Sequence, residues 1–435
     1  MMSVWSDKTA LPAFPTLDGD IKTDILVIGG GMAGILCAHM LSESGVDCTL
    51  LEADKIGGGV TKNTTAKITS QHGFIYNDLI KDFGIQKALM YLKANENALE
   101  KYRTLCKNIN CGFDNKDNIV YSVDAPQKVE NELKALDRLG FEAEFNDKIP
   151  LPVKIAGAVR FKNQAQFNPL AFIAAIIPGL KIYENSRVFE VRDNRAFTEK
   201  GSVTAEKIIV ATHFPFINKH GAYFMKMYQE RSYVIALENG PNIDGMYVDE
   251  KPKGMSFRNF ENLLLVGGGD HRTGKQGGDF RELRSFAKTH YPSCREKFAW
   301  ATQDCMTLDS VPYIGRYSKN TSDLYVATGF NKWGMTSSMV AATILCDMVL
   351  GKENDFTEVF SPSRSILTPQ LAINTGETMA GLLSLTKKRC PHLGCALKWN
   401  SSEHSWDCPC HGSRFKENGI LLDGPATGNL GHRIE

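Results

Sequence analysis

Two short loops near the C-terminal end carry ligand chemistry: Cys390-Pro-His392-Leu-Gly-Cys395 and Cys408-Pro-Cys410-His411-Gly-Ser413. Each sets one cysteine and one histidine at ligand spacing and adds a second cysteine. Two thiolates and two imidazoles suit tetrahedral zinc. They also suit a [2Fe–2S] cluster in which the thiolates hold one iron and the imidazoles the other. Zinc needs only Cys390, His392, Cys408 and His411 and leaves Cys395 and Cys410 unexplained. The iron–sulfur reading makes this end a one-electron redox centre, so the rest of the chain must account for the electrons.

A second chemical signature lies near the other end. Gly29-Gly-Gly31-Met-Ala-Gly34 follows the apolar run Ile21–Ile28, which reads as a buried parallel strand, and opens a helix from Met32 to Ser44. Asp47 to Glu52 is the next strand and ends in an acid. Strand, glycine turn, helix, strand and acid come in the order that dinucleotide binding requires. Gly29 permits the tight turn, Gly31 lets backbone approach a pyrophosphate, and Gly34 allows close helix–strand packing. Glu52 is placed for a ribose hydroxyl, and the helix N-terminus faces the phosphates. The motif alone does not separate FAD from NAD.

The elements that must hold these groups follow from the remaining pattern. Residues 57–70 read as an extended loop, and 78–150 as mainly helical, with a helix starting at Pro126 and stopped by Gly140. A helix follows Pro169, and strands fall near 181–191 and 206–211, then at Ser232 to Leu237, Leu263 to Val266 and Tyr325 to Ala327. A long helix runs from about Gly334 to Leu350. At 435 residues the chain suits two or three domains. Its net charge of +1 gives no reason to expect a nucleic-acid partner. No apolar stretch is long enough to span a membrane. Scattered cysteines without a signal peptide suggest the cytoplasm.

Three further segments carry a family resemblance. Val311-Pro-Tyr-Ile-Gly315-Arg316, then Val326-Ala-Thr-Gly329-Phe330, then a helix led by Gly334, resemble the second FAD-contacting region of the D-amino-acid-oxidase/glycine-oxidase superfamily. Ile208-Ile-Val-Ala211-Thr212-His213 resembles its internal Ala-Thr element, and Asn163-Gln-Ala-Gln166-Phe-Asn-Pro169 matches a related group. With the terminal loops, the chain from about Thr23 onward resembles flavoproteins of this type that carry a C-terminal Rieske [2Fe–2S] segment. The resemblance implies FAD, contacted at Gly29, Gly31, Gly34, Glu52, Thr65, Val188, Ala211, Gly315, Gly329, Gly334, Met335 and Thr336. It implies a cluster on Cys390, His392, Cys408 and His411, with a Cys395–Cys410 disulfide tying the loops. Ser413 stands where the family's serine donates to a bridging sulfide. Phe415 stands where respiratory members have a tyrosine, so a potential below that of quinol-oxidising centres is expected.

The expected fold is α/β: a Rossmann-like FAD-binding domain with an inserted α+β substrate domain, plus a small C-terminal all-β Rieske-type cluster unit. Residues 1–20 are read as an N-terminal arm and 21–360 as the oxidoreductase. Its FAD-binding parts are about 21–77, 155–215 and 305–351, and its substrate domain about 78–154 and 216–304. A linker covers 361–385 and a minimal cluster domain 386–435, too small to bury a core alone and so expected to pack on the flavoprotein body. Lys67, His271 and Arg272 are the candidate catalytic residues. Lys67 would act electrostatically beside the flavin, and an arginine could hold a substrate carboxylate. Arg258, Tyr233 and Lys332 are further candidates for the substrate face, His72 and His213 are packed or functional, and Lys387, Lys388 and Arg389 could attract an acidic carrier.

The implied function is oxidation of a small amine or amino-acid-like substrate at FAD, with electrons passed to the cluster and on to an unknown external one-electron acceptor. Two alternatives stand beside it: a reductase with reversed flow, and a redox-sensing regulatory protein in which the cluster is not catalytic.

Overall fold

A computed structural model of the protein describes residues 2–384, 386 and 388–431. Strand Ile21–Ile28 is buried from Ile25 onward and pairs in parallel with Cys48–Leu51 on one side and Gly201–Val210 on the other. Leu324–Thr328 and Lys181–Tyr183 extend this sheet outward, and Tyr313–Arg316 adds an antiparallel edge. Buried parallel strands need helices over them. Met32–Glu43 and Gly334–Val349 provide that cover and share one core through Ile35, Leu36, Met339 and Leu345.

The second sheet has nine strands and carries the other wall of the molecule. Met227–Glu238 lies between Arg295–Thr307 and Leu263–Arg272, all antiparallel. The sheet continues through Ser256–Phe260 and Met246–Asp249 to Asp114–Ser122 and Gly157–Gln166. That last strand corrects the sequence boundary: residues 157–166 pair with 114–122 in this sheet, not in the dinucleotide sheet. Their mixed polar and apolar pattern fits either sheet, and only the long-range pairing decides.

Four C-terminal strands, Lys398–Asn400, Ser405–Asp407, Arg414–Lys416 and Leu421–Asp423, form a small antiparallel sheet around the cysteine loops. Among the described residues its core is Cys390, Cys395, Leu397, Cys408, Cys410, Phe415 and Ala426 with a few half-buried neighbours. So small a core cannot stand alone, and the unit packs on the body. Gln229 Nε2 donates to His411 O at 2.6 Å, and Gln303 Nε2 donates to Gly412 O at 2.8 Å.

Two segments are more ordered than their sequence suggested. The arm contains helix Val4–Lys8, capped by Ser3, and buried Trp5 donates from Nε1 to Thr64 O at 2.8 Å. The stretch read as a linker contains helix Pro369–Leu383, whose Gly381 O accepts from Ala396 N at 3.0 Å. Pro369 starts this helix at its first turn instead of breaking it. Lys387 of the basic run lies outside the described residues.

Candidate functional site

One continuous cavity of about 1310 Å³ runs between the two large sheets. Its lining includes Gly29, Gly31 and Glu52 and also Gly329, Gly334 and Met335. Single small-ligand pockets are ~300–1,000 Å³, so this space suits a dinucleotide together with a small substrate. Gly29 has φ +113°, and a Cβ there would meet Ala211 O at 2.5 Å. A Cβ on Gly34 would fall 1.9 Å from Gly29 O, so only glycine lets the helix seat on the turn. Gly31 at the N-cap has no side chain to cap helix Met32–Glu43, and Thr61 Oγ1 accepts from Met32 N at 3.0 Å, which leaves the other N–H groups of the first turn for an anion. Glu52 accepts backbone N–H groups from Gly30 at 2.7 Å and Asp54 at 2.8 Å. Burial pushes its carboxyl up, against those two bonds.

Thr65, Lys67, Val188 and Ala211 also line the cavity. Lys67 is 9% exposed, and its Nζ contacts Thr65 Oγ1 at 3.2 Å. Burial, then the neighbouring Arg258 charge, bring it down to about 7. Arg258 itself is fully buried against Trp5, and its Nη1 donates to Ala66 O at 2.9 Å. His72 packs on Trp333 and bonds Thr336 Oγ1 at 2.9 Å; burial pushes it down to about 3. The helix Gly334–Val349 begins without a side-chain cap, so its positive end is free to act on whatever fills that part of the cavity.

The second sheet supplies the facing wall. Glu230 lies opposite Asp304, and Ser232 opposite Thr302, in the register of Met227–Glu238 with Arg295–Thr307. Lys332 bonds Asp270 at 2.8 Å and Glu230 at 3.0 Å. Burial works against the Lys332 charge, but Asp270, Glu230 and Asp304 outweigh it and hold it above its ordinary value.

In the cluster unit the sulfurs of Cys395 and Cys410 are joined, and the Cys390 and Cys408 thiols are buried in the same small core. The His392 and His411 rings lie 5.0 Å apart and perpendicular. Both Nδ1 atoms are buried without a partner among the described residues, while His392 Nε2 faces Asn218 Oδ1 at 3.1 Å. Burial pushes His392 down to about 4 and His411 to about 3, keeping both in the neutral form that ligates. Two thiols and two orphaned imidazole nitrogens therefore fit a cluster with mixed ligation. Ser413 is fully buried, and its Oγ accepts from Ala426 N at 3.0 Å. Phe415 is fully buried among the cysteines and offers no hydroxyl.

Not every predicted residue reaches the cavity. Gly315 is on the edge strand with Pro362 against it, and Thr336 lies behind the wall. Arg272 turns to the cluster loops: Nε donates to Pro409 O at 3.0 Å, Nη2 to Cys410 O at 3.2 Å, and Nη1 to Asn374 Oδ1 at 2.8 Å. His271 contacts Tyr233 Oη at 3.0 Å. Both residues follow a glycine run at a strand end, which resembles an active-site position, but the cluster unit occupies that place.

Sequence reasoning missed the junction itself. Arg231 donates from Nε to Glu403 Oε1 at 2.9 Å, and Arg414 Nη2 donates to Glu403 Oε2 at 2.9 Å. Arg414 also meets Asp407 at 3.0 Å and Asp423 at 3.1 Å. Glu403, Arg414 and residues 422–427 border the same cavity. The available signal was that 228–233 is polar on both faces of a strand, so each face needs a polar partner.

Comparison with known proteins agrees with this architecture. Residues 24–348 match the FAD dependent oxidoreductase (DAO) family, and residues 348–432 match the Rieske [2Fe-2S] domain. The chain is 36% identical to the Rieske 2Fe-2S iron-sulfur protein YhfW of Bacillus subtilis, over 97% of this chain and 95% of that protein. It is 24% identical to gamma-glutamylputrescine oxidoreductase of Escherichia coli, over 79% of this chain and 87% of the relative. The fold is shared with glycine oxidase from Geobacillus kaustophilus, at a TM-score of 0.67 and 19% identity, covering 79% of this chain and 99% of that one.

Proposed function

Because the chain belongs to the DAO family of FAD-dependent oxidoreductases and carries a Rieske [2Fe-2S] domain, we propose that it oxidises a small amine or amino-acid-like substrate and delivers the electrons singly to an external acceptor. The observation that carries the two-centre reading is the shared cavity: the dinucleotide turn lines one part of it, and Glu403, Arg414 and residues 422–427 of the cluster unit border another. FAD, when bound, accepts the hydride equivalent lost from the carbon beside the amine nitrogen, and a [2Fe–2S] cluster takes electrons one at a time.

The chain's own residues have three tasks. Gly29, Gly31 and the start of helix Met32–Glu43 hold the pyrophosphate end, with Glu52 beside it. Lys67 Nζ, brought down to about 7, takes the proton from the reacting ammonium so that the neutral amine forms. The uncapped start of helix Gly334–Val349 stabilises negative charge in its part of the cavity. In the cluster unit, Cys390, His392, Cys408 and His411 are the ligands, and Gln229, Gln303 and Arg272 fix their loops.

Among the described residues no helix is long and apolar enough to cross a membrane. Unpaired buried thiols such as Cys37 and Cys346 suit a reducing cytoplasm, where we place the protein. The functional reading is tested by mixing the holoprotein anaerobically with a panel of amines and amino acids. Bleaching of the flavin band by an amine is the expected result; no bleaching by any member would refute it.

A further inference from the structure

Three carboxyl groups and one ammonium meet on one wall of the cavity. Glu230 faces Asp304 and Ser232 faces Thr302 across adjacent strands, and all four line the cavity with Asp270. Lys332 is the ammonium in this group and bonds Asp270 and Glu230. Lys332 thus serves two of three carboxyl groups; burial, against the Lys332 charge, pushes the third, Asp304, up to about 7, and among the described residues Asp304 makes no side-chain hydrogen bond or ion pair. Thr302 is 9% exposed and its hydroxyl has no partner; the Ser232 hydroxyl and Asp270 Oδ1 are also buried without one. Buried acceptors left unpaired are costly. A cluster of this kind calls for a ligand that brings several donors and positive charge. An ammonium group has three donors and no acceptor.

A carboxylate ligand fits this wall poorly. Arg231 and Arg414 border the cavity but are committed to Glu403, and Arg187 lies near Glu52 at the dinucleotide end. The reacting nitrogen does not suit the patch either. Oxidation of the adjacent carbon needs the nitrogen lone pair, whereas neighbouring carboxylates favour the protonated form. The nitrogen held here is therefore one that does not react.

We propose that Asp304 and Glu230, with the Ser232 and Thr302 hydroxyls, bind the non-reacting ammonium of an aliphatic diamine, and so set the enzyme's specificity. This rests on the reading of the protein as an amine oxidoreductase, and it adds the second charge that the substrate must carry.

The test uses the FAD-loaded, full-length protein. The probe is putrescine fully methylated at both amine-bearing carbons, which has no hydrogen to lose there; tert-pentylamine is the monoamine control. Binding is read as perturbation of the flavin absorption spectrum. The diamine should bind at least about tenfold tighter than the monoamine, equivalent to ~1.4 kcal/mol. Asp304→Asn should abolish that preference without weakening the monoamine, and Thr302→Val should reduce it. Equal affinities in the unmodified protein, or a preference that survives in both variants, would overturn the proposal. If the preference holds while no diamine reduces the flavin, the patch stands and the oxidation reading falls.

Discussion

Replacing Glu403 by alanine should loosen the cluster unit from the flavoprotein body. Glu403 is 7% exposed and accepts from Arg231, Arg414 and Tyr233. Without it, Arg414 keeps Asp407 and Asp423, whereas Arg231, only 4% exposed, loses its salt-bridge partner. Removing one partner of a buried ion pair costs about 3–5 kcal/mol, because a desolvated charge is left uncompensated. At ~1.4 kcal/mol per tenfold, the docked state is disfavoured by roughly a hundredfold to several thousandfold. Arg231→Met should cost less, since Glu403 then keeps Arg414 and Tyr233 and no buried charge is orphaned. The assay is urea titration followed at the cluster's visible absorption, which reports this unit alone, with the slope checked for constancy. The pH dependence gives a second readout. Burial pushes the Glu403 carboxyl up, but Arg231 and Arg414 outweigh it and hold it below 4.5. A carboxyl depressed in the folded state contributes stability that is present above 4.5 and lost as pH falls through the folded value. The gap between wild type and Glu403→Ala should therefore close in acid. An alanine variant less destabilised than Arg231→Met, or a gap that does not change with pH, would refute this account of the junction.

Other outcomes follow from the same geometry. Phe415→Tyr places a hydroxyl among the cysteines and should raise the cluster potential in a redox titration, since hydrogen bonds to the sulfurs raise it; an unchanged potential would remove the argument. With Lys67 as proton acceptor, kcat/KM should rise with pH through about 7, and Lys67→Met should flatten that limb while flavin is retained. An identical pH profile in the variant would exclude the role. Gly34→Ala would set a Cβ 1.9 Å from Gly29 O, so the purified variant should lose bound flavin; full flavin occupancy would contradict the seating of the helix on the turn.

Local spacing made the two cofactor sites legible. The turn Gly29–Gly34 and each of the proposed ligand pairs, Cys390 with His392 and Cys408 with His411, are set within a few residues, so local pattern was enough to name them as candidates. Long-range pairing was not legible. Arg272 reads like a substrate anchor until Pro409 and Cys410, from the far end of the chain, arrive beside it. Arg231 and Glu403 form the junction across a sequence separation of 172 residues, and nothing local to either residue names the other. Gly157–Gln166 changes sheets for the same reason, because strand composition does not choose between two partners. Helix Pro369–Leu383 was hidden by its own first residue, a proline that breaks helices elsewhere and starts one here.

The proposed transfer from flavin to cluster is tested most directly by anaerobic stopped-flow of the holoprotein with a reducing amine, followed by freeze-quench EPR. The flavin should bleach first and the EPR signal of the reduced cluster should then grow in the same molecules, before any external acceptor is added. A flavin that becomes fully reduced while the cluster stays oxidised would contradict transfer between the two centres.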